Sequence, residues 1–123
     1  MNHVLVVEDD RALGELVCDA LAARGLVAER VDSDIAAYRR IPLLPTLAAL
    51  IVDVNLGAAT TGFDVARFAR QVIPHIAVVF MSGGTQAAAF RAHGVPDSDF
   101  LQKPFRPGDL AGVLASRLAA KRD

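Results

Sequence analysis

Three carboxylates, one hydroxyl and one ammonium stand where short apolar runs of this 123-residue chain end. Glu8 and Asp9 follow VLVV, Asp53 follows LIV, Ser82 follows IAVVFM, and Lys103 follows FLQ. Two carboxylates about 4 Å apart repel by roughly 4 kcal/mol at an effective dielectric of about 20, so three brought together need a cation or a proton to offset them. A bound divalent metal is the economical answer. Carboxylate oxygens with a backbone carbonyl and waters are hard ligands, suited to Mg²⁺ or Mn²⁺ and not to zinc, which wants His or Cys. Lys103 and Ser82 add a cation and a hydroxyl donor able to hold phosphate oxygens. Together these groups are equipment for phosphoryl transfer. Aspartate is a competent covalent acceptor through an acyl phosphate, and Asp53, at the end of the central strand, is the natural candidate.

Such a site exists only if the chain gathers its parts. Short runs rich in Val and Ile read as strands buried on both faces, the kind found in parallel sheets covered by helices. Ligands of open α/β sheets bind at the carboxyl ends of the strands, which is where all five groups fall. The pattern predicts strands at Val4 to Val7, Leu26 to Val31, Leu47 to Val54, Ile76 to Met81 and Ser98 to Gln102. Between and after them it predicts helices at Arg11 to Arg24, Asp34 to Arg40, Phe63 to Val72, Thr85 to His93 and Pro107 to Ala120. The first helix carries its apolar stripe at Leu13, Leu16, Val17, Ala20 and Leu21 and stops at Gly25. Ser33 caps the second, and the prolines at 42 and 45 close it off. Strands alternating with helices imply right-handed crossovers and a parallel sheet with helices on both sides.

Residues 1–123 read as one domain without linker, repeat or low-complexity segment. A formal charge of −1 gives no broad basic field, so direct nucleic-acid binding is not expected. No apolar stretch approaches the ~20 residues that span a bilayer, and the amino terminus turns acidic early, so the expected location is the cytoplasm. The lone Cys18 excludes an internal disulfide and is expected to be a packed thiol.

The acidic pair Glu8-Asp9, then Asp53, then Ser82 followed by the small Gly83, then Lys103-Pro104-Phe105, in this order and with these spacings, resembles the receiver domain of two-component response regulators. The resemblance covers essentially the whole chain. It implies a flavodoxin-like, doubly wound α/β fold: a five-stranded parallel sheet of order 2-1-3-4-5 with five helices in three α/β/α layers. It implies that Asp53 is phosphorylated by a sensor histidine kinase or a histidine phosphotransfer protein. Asp9 would be the direct Mg²⁺ ligand with Asp53 and the backbone carbonyl of Asn55, and Glu8 would act through water. Lys103 would pair with Asp53 and then with the phosphoryl group, Ser82 would swing toward it, and Phe100 would be the aromatic switch. The resemblance also suggests a proline bond, Lys103-Pro104, of the cis kind. The signal would emerge on the face made by the fourth helix, fifth strand and fifth helix, for an effector or a second copy. Such a domain catalyses only its own phosphorylation and dephosphorylation and is not a conventional enzyme. It either stands alone or is cut from a larger regulator or hybrid kinase.

One loop departs from the pattern. Many receivers place a proline four residues after the acceptor, where this chain has Gly57, and the stretch to Gly62 is one residue longer. Several rival readings are simpler. Asp10 is expected to be a helix amino-terminal cap rather than a ligand, and Phe100 could be plain core. His3, His75 and His93 share no motif and are expected at the surface or in loops. A Mg²⁺-dependent phosphohydrolase with an aspartate nucleophile would need a second Asp two residues on, where this chain has Asn55. A nucleotide- or flavin-binding module would need a Gly/Ser/Thr-rich loop after the first strand, where this chain has Glu8-Asp9-Asp10. A degenerate receiver that only binds partners would lack some of these groups, and none is missing.

Overall fold

A computed structural model describes residues 2–56, 60–84 and 87–121. The elements run β1 (His3–Val7), α1 (Arg11–Ala22), β2 (Val27–Val31), α2 (Asp34–Arg40), a 3₁₀ turn (Ile41–Leu43), β3 (Leu47–Asp53), α3 (Gly62–Val72), β4 (Ala77–Ser82), α4 (Ala87–His93), β5 (Ser98–Gln102) and α5 (Pro107–Lys121). The five strands form one parallel sheet in the order β2-β1-β3-β4-β5. This is the flavodoxin-like arrangement that the family resemblance implied.

Each face of the sheet buries its own apolar cluster. On one side Leu5, Val7, Leu50, Val52, Val78 and Phe80 meet Ala37 of α2 and Phe63, Val65, Ala66 and Ala69 of α3, with Ala89 and Phe90 of α4 at the margin. On the other side Val4, Val6, Ile51, Val79 and Met81 meet Val17 and Leu21 of α1 and Leu110, Ala111 and Leu114 of α5. Strand alternation with both faces covered explains why β1, β3 and β4 are apolar except at His3, Asp53 and Ser82 at their ends.

Local chemistry fixes the element ends. Asp10 caps α1 by accepting from the Leu13 amide at 3.2 Å, and Ser33 caps α2 by accepting from Ala36 at 3.1 Å. Thr61 and Asp64 form a reciprocal capping box at the start of α3. Gly25, at φ +80, takes the left-handed turn after α1.

Some expectations need correction. Helix α1 ends at Ala22, two residues before the predicted Arg24. Leu16 does not join the buried stripe: it is 55% exposed, because α1 buries only a narrow seam through Gly14, Val17 and Leu21. Helix α2 ends at Arg40 as expected, and the proline-bearing segment after it forms a separate 3₁₀ turn with Pro42 in its first turn, where a missing N–H costs nothing. His93 is exposed, as expected, and closes α4, with its ring 6.2 Å from that of Phe63. The loop variation at Gly57 and the expected helix start at Thr85 lie outside the described residues. Among the described residues no helix is long and apolar enough to cross a membrane.

Candidate functional site

The carboxyl ends of β1, β3 and β5 converge on a charged pocket centred on Lys103. Its Nζ donates to Glu8 Oε1 and to Asp53 Oδ2, both at 2.8 Å, joining residues 95 and 50 positions apart in the chain. Glu8 is fully buried and Asp53 nearly so, whereas the Lys103 side chain keeps 24% of its exposure. The remaining oxygens are also engaged. The Asp10 amide donates to Glu8 Oε2 at 3.1 Å, and the Asn55 amide donates to Asp53 Oδ1 at 2.8 Å. Asp9 is exposed beside them, and carboxylate oxygens of Glu8, Asp9 and Asp53 all lie within 4.8 Å of one another.

Lys103 bridges two of the three carboxylates, and the excess of negative charge is felt at Glu8. Burial pushes the Glu8 carboxyl up to about 7, with Asp9 and Asp53 pushing the same way, while the Lys103 ammonium pulls against them. For Lys103 burial works against its charge, but the contacts with Asp53 and Glu8 together outweigh it and raise its pKa. Lys103 therefore stays charged, and the protonated form of Glu8 is favoured well above the usual carboxylate range. An all-oxygen set this compact and electron-rich suits a hard divalent cation.

The other sequence candidates lie around this core. Ser82 ends β4, fully buried, its Oγ accepting from the Gly84 amide at 3.2 Å and its carbonyl accepting from the Lys103 amide at 2.6 Å. Along β4 it continues the face of Val78 and Phe80. Phe100 stands on that face in β5, paired in register with Phe80 and stacked on Phe90 at 5.3 Å. Phe90 contacts Phe80 at 5.7 Å, and Phe80 contacts Phe63 at 5.1 Å, so aromatic rings run from α3 to β5 beneath Ser82. Asn55 is exposed just past β3 and reaches Asp53 through its amide. The Lys103-Pro104 peptide is cis.

Sequence reasoning overlooked two contributors. Arg30 of β2 donates from Nε to the Glu8 carbonyl at 3.0 Å and from Nη2 to the Asp9 carbonyl at 3.3 Å. The available signal was Gly14, an unfavourable residue inside a helix that turns out to face Arg30. The second is a relay beside the stretch after Asp53. Tyr38 donates to Thr60 at 3.0 Å, and Thr60 donates to the buried Asp34, whose pKa this hydrogen bond lowers. No spacing rule announces that relay, because Asp34 and Tyr38 share α2 whereas Thr60 comes from the stretch after Asp53.

Comparison with known proteins agrees with this geometry. Residues 4–115 match the family model of the response regulator receiver domain. The chain is 27% identical over 121 residues to the response regulator receiver protein CpdR of Brucella abortus, covering 98% of this chain and 99% of CpdR. It is 35% identical over 115 residues to the response regulator FleR of Pseudomonas aeruginosa, spanning 91% of this chain but 24% of FleR. A response regulator receiver protein from Sinorhizobium medicae superposes with a TM-score of 0.90 at 27% identity, covering 97% of this chain and 95% of that one. With the sheet order, the acid cluster and these relatives in agreement, this chain belongs to the response regulator receiver domain family.

Proposed function

We propose that the chain is a phosphoacceptor in a two-component phosphorelay, taking a phosphoryl group onto Asp53 from a sensor histidine kinase or a histidine phosphotransfer protein. The observation that carries this reading is the bridging Lys103 Nζ, 2.8 Å from both Glu8 and Asp53 at the mouth of a buried acid cluster. An Asp53 carboxylate oxygen attacks the phosphorus of a phosphohistidine. The P–O bond forms as the P–N bond breaks, and the electron pair returns to the imidazole, which takes up a proton from solvent. Asp9, Asp53 and the backbone carbonyl of Asn55 would hold Mg²⁺, with Mn²⁺ an acceptable substitute and Glu8 linked through water. Bound there, the ion offsets the charge of the transferring phosphoryl oxygens. Lys103 then shifts one contact from Asp53 to the phosphoryl group, and the Asn55 amide keeps the acceptor oriented. The domain turns over no external substrate, since the residue two after Asp53 is Asn55 rather than an acid-base Asp.

The new near-dianionic group gives Ser82 and Lys103 additional acceptors. Movement of Ser82 vacates room on the face it shares with Phe100, and the change is read at the α4, β5 and α5 face by an effector or a second copy. A charge-assisted hydrogen bond contributes about 1.5–3 kcal/mol, a bias of roughly ten- to hundredfold in partner affinity. The setting is the cytoplasm, without direct contact to nucleic acid or membrane.

Intact mass after incubation with a small phosphodonor and Mg²⁺ tests the acceptor. Wild type should gain one hydroxylamine- and base-labile phosphoryl group and Asp53→Asn none. Equal labelling of the Asp53→Asn variant would overturn the assignment.

A further inference from the structure

We infer that Arg30 is a positioning residue for the acid pair, and that position 14 is glycine because Arg30 occupies the space its side chain would fill. The inference rests on reading the acid cluster as a Mg²⁺ site. The Glu8-Asp9 turn is held from the side by β2. Val31 accepts from the Glu8 amide at 3.1 Å, and the Arg30 guanidinium donates to the carbonyls of both acids, at 3.0 and 3.3 Å. A planar guanidinium bonded to two successive carbonyls fixes the orientation of both peptide planes, which a single ammonium cannot do. Glu8 is also held through its side chain by Lys103 and the Asp10 amide. Asp9 is exposed, so its carboxylate is aimed by its backbone more than by packing, and Arg30 sets that backbone.

Gly14 completes the arrangement. It is buried in the interior of α1, where glycine is a poor helix former. A Cβ there would lie 2.5 Å from Arg30 Cδ and 2.7 Å from Nε, the atom that donates to Glu8. Relief of that clash requires moving the donor.

Charge and positioning predict opposite signs. As a nearby cation, Arg30 should weaken divalent binding, and its removal should tighten it. As a positioning group, its removal should loosen binding, and partners that orient ligands typically change metal affinity by about tenfold or more. Calorimetric Mg²⁺ titration of wild type, Arg30→Ala, Arg30→Lys, Gly14→Ala and the Gly14→Ala/Arg30→Ala double variant decides between them, with amide NMR spectra of the metal-free proteins recorded alongside. Arg30→Ala and Gly14→Ala should each raise the Mg²⁺ Kd by about tenfold, and Arg30→Lys, with its charge kept, should stay weakened. The double variant should bind no more weakly than Arg30→Ala alone, because both changes break one contact. Without Mg²⁺, the Glu8, Asp9 and Asp10 amide resonances should move in all variants. In the Arg30→Ala background, Gly14→Ala should raise the melting temperature as an ordinary helix substitution does. Unchanged or tighter Mg²⁺ binding in Arg30→Ala, or additive losses in the double variant, would overturn the role of Arg30 and leave the metal site standing. A wild-type protein that binds no Mg²⁺ would overturn both.

Discussion

At the ends of β1 and β3, both oxygens of Glu8 and of Asp53 accept hydrogen bonds, and the two residues are buried. On the far side of the fully buried β4 the packing thins. Helix α4 buries none of its residues, and β5 is half-buried along nearly all its length. One region buries its charged groups with every carboxylate oxygen of Glu8 and Asp53 engaged, and the other, held by the β4–β5 ladder, the Arg70 and Arg117 contacts and the Phe80, Phe90 and Phe100 rings, buries far less. The difference separates two requirements of the proposed switch. Phosphoryl chemistry needs groups fixed before the donor arrives, whereas a signal needs an element whose alternative packing costs little.

The largest contrast should appear in stability. Phe80 is fully buried between Phe63 and Phe90, so Phe80→Ala should cost about 3–5 kcal/mol, and Phe100→Ala, half-buried in β5, roughly half as much. Urea unfolding measures both. Equal losses would mean that the β5 flank is as tightly packed as the centre.

Next in size is the coupling between the regions. Ser82→Ala should leave phosphorylation intact while reducing the phosphorylation-dependent change in partner affinity by about tenfold or more, the share of a charge-assisted hydrogen bond. Partner titrations with and without a phosphoryl mimic read it, and full coupling in the variant would remove Ser82 from the switch.

The acid end should carry its own pH signature. Folded Glu8 holds its proton up to about 7, whereas the unfolded chain releases it near 4.5. The folded state therefore binds more protons in that window, and the stability of the metal-free protein should fall as pH rises through it, by at most about 1.4 kcal/mol per pH unit. Mg²⁺ affinity should rise over the same interval, because the ion competes with that proton. Glu8→Gln should flatten the stability slope, and an unchanged slope would assign it elsewhere.

The smallest expected stability change belongs to Asp9→Ala. Removing one exposed carboxylate from the cluster should raise metal-free stability by about 0.5 kcal/mol while weakening Mg²⁺ binding in calorimetry. Unchanged Mg²⁺ affinity would remove Asp9 from the site.

Much of this was legible in the chain because it depends on local pattern. The apolar runs of β1, β3 and β4, the caps Asp10 and Ser33, and β5 at Ser98–Gln102 follow from burial and capping rules. The convergence of Glu8, Asp9, Asp53 and Lys103 follows from topology, since parallel strands bring their carboxyl ends to one edge. What escaped depends on neighbours that only the fold supplies. Leu16 fits the helical period, but no element covers it. Arg30 reads as a polar residue in a weak strand until Gly14 is seen opposite, and the Tyr38, Thr60 and Asp34 relay joins α2 to the stretch after Asp53.

The proposed switch requires that charge added at Asp53 reach the α4 and β5 flank. NMR shift mapping with beryllofluoride and Mg²⁺, a mimic of the phosphorylated aspartate, measures that most directly. The prediction is perturbation at Glu8, Asp53 and Ser82 that continues through Ala89, Phe90 and Phe100 to Leu110 and Leu114. Shifts confined to the acid pocket, with Phe90, Phe100 and α5 unmoved, would contradict it.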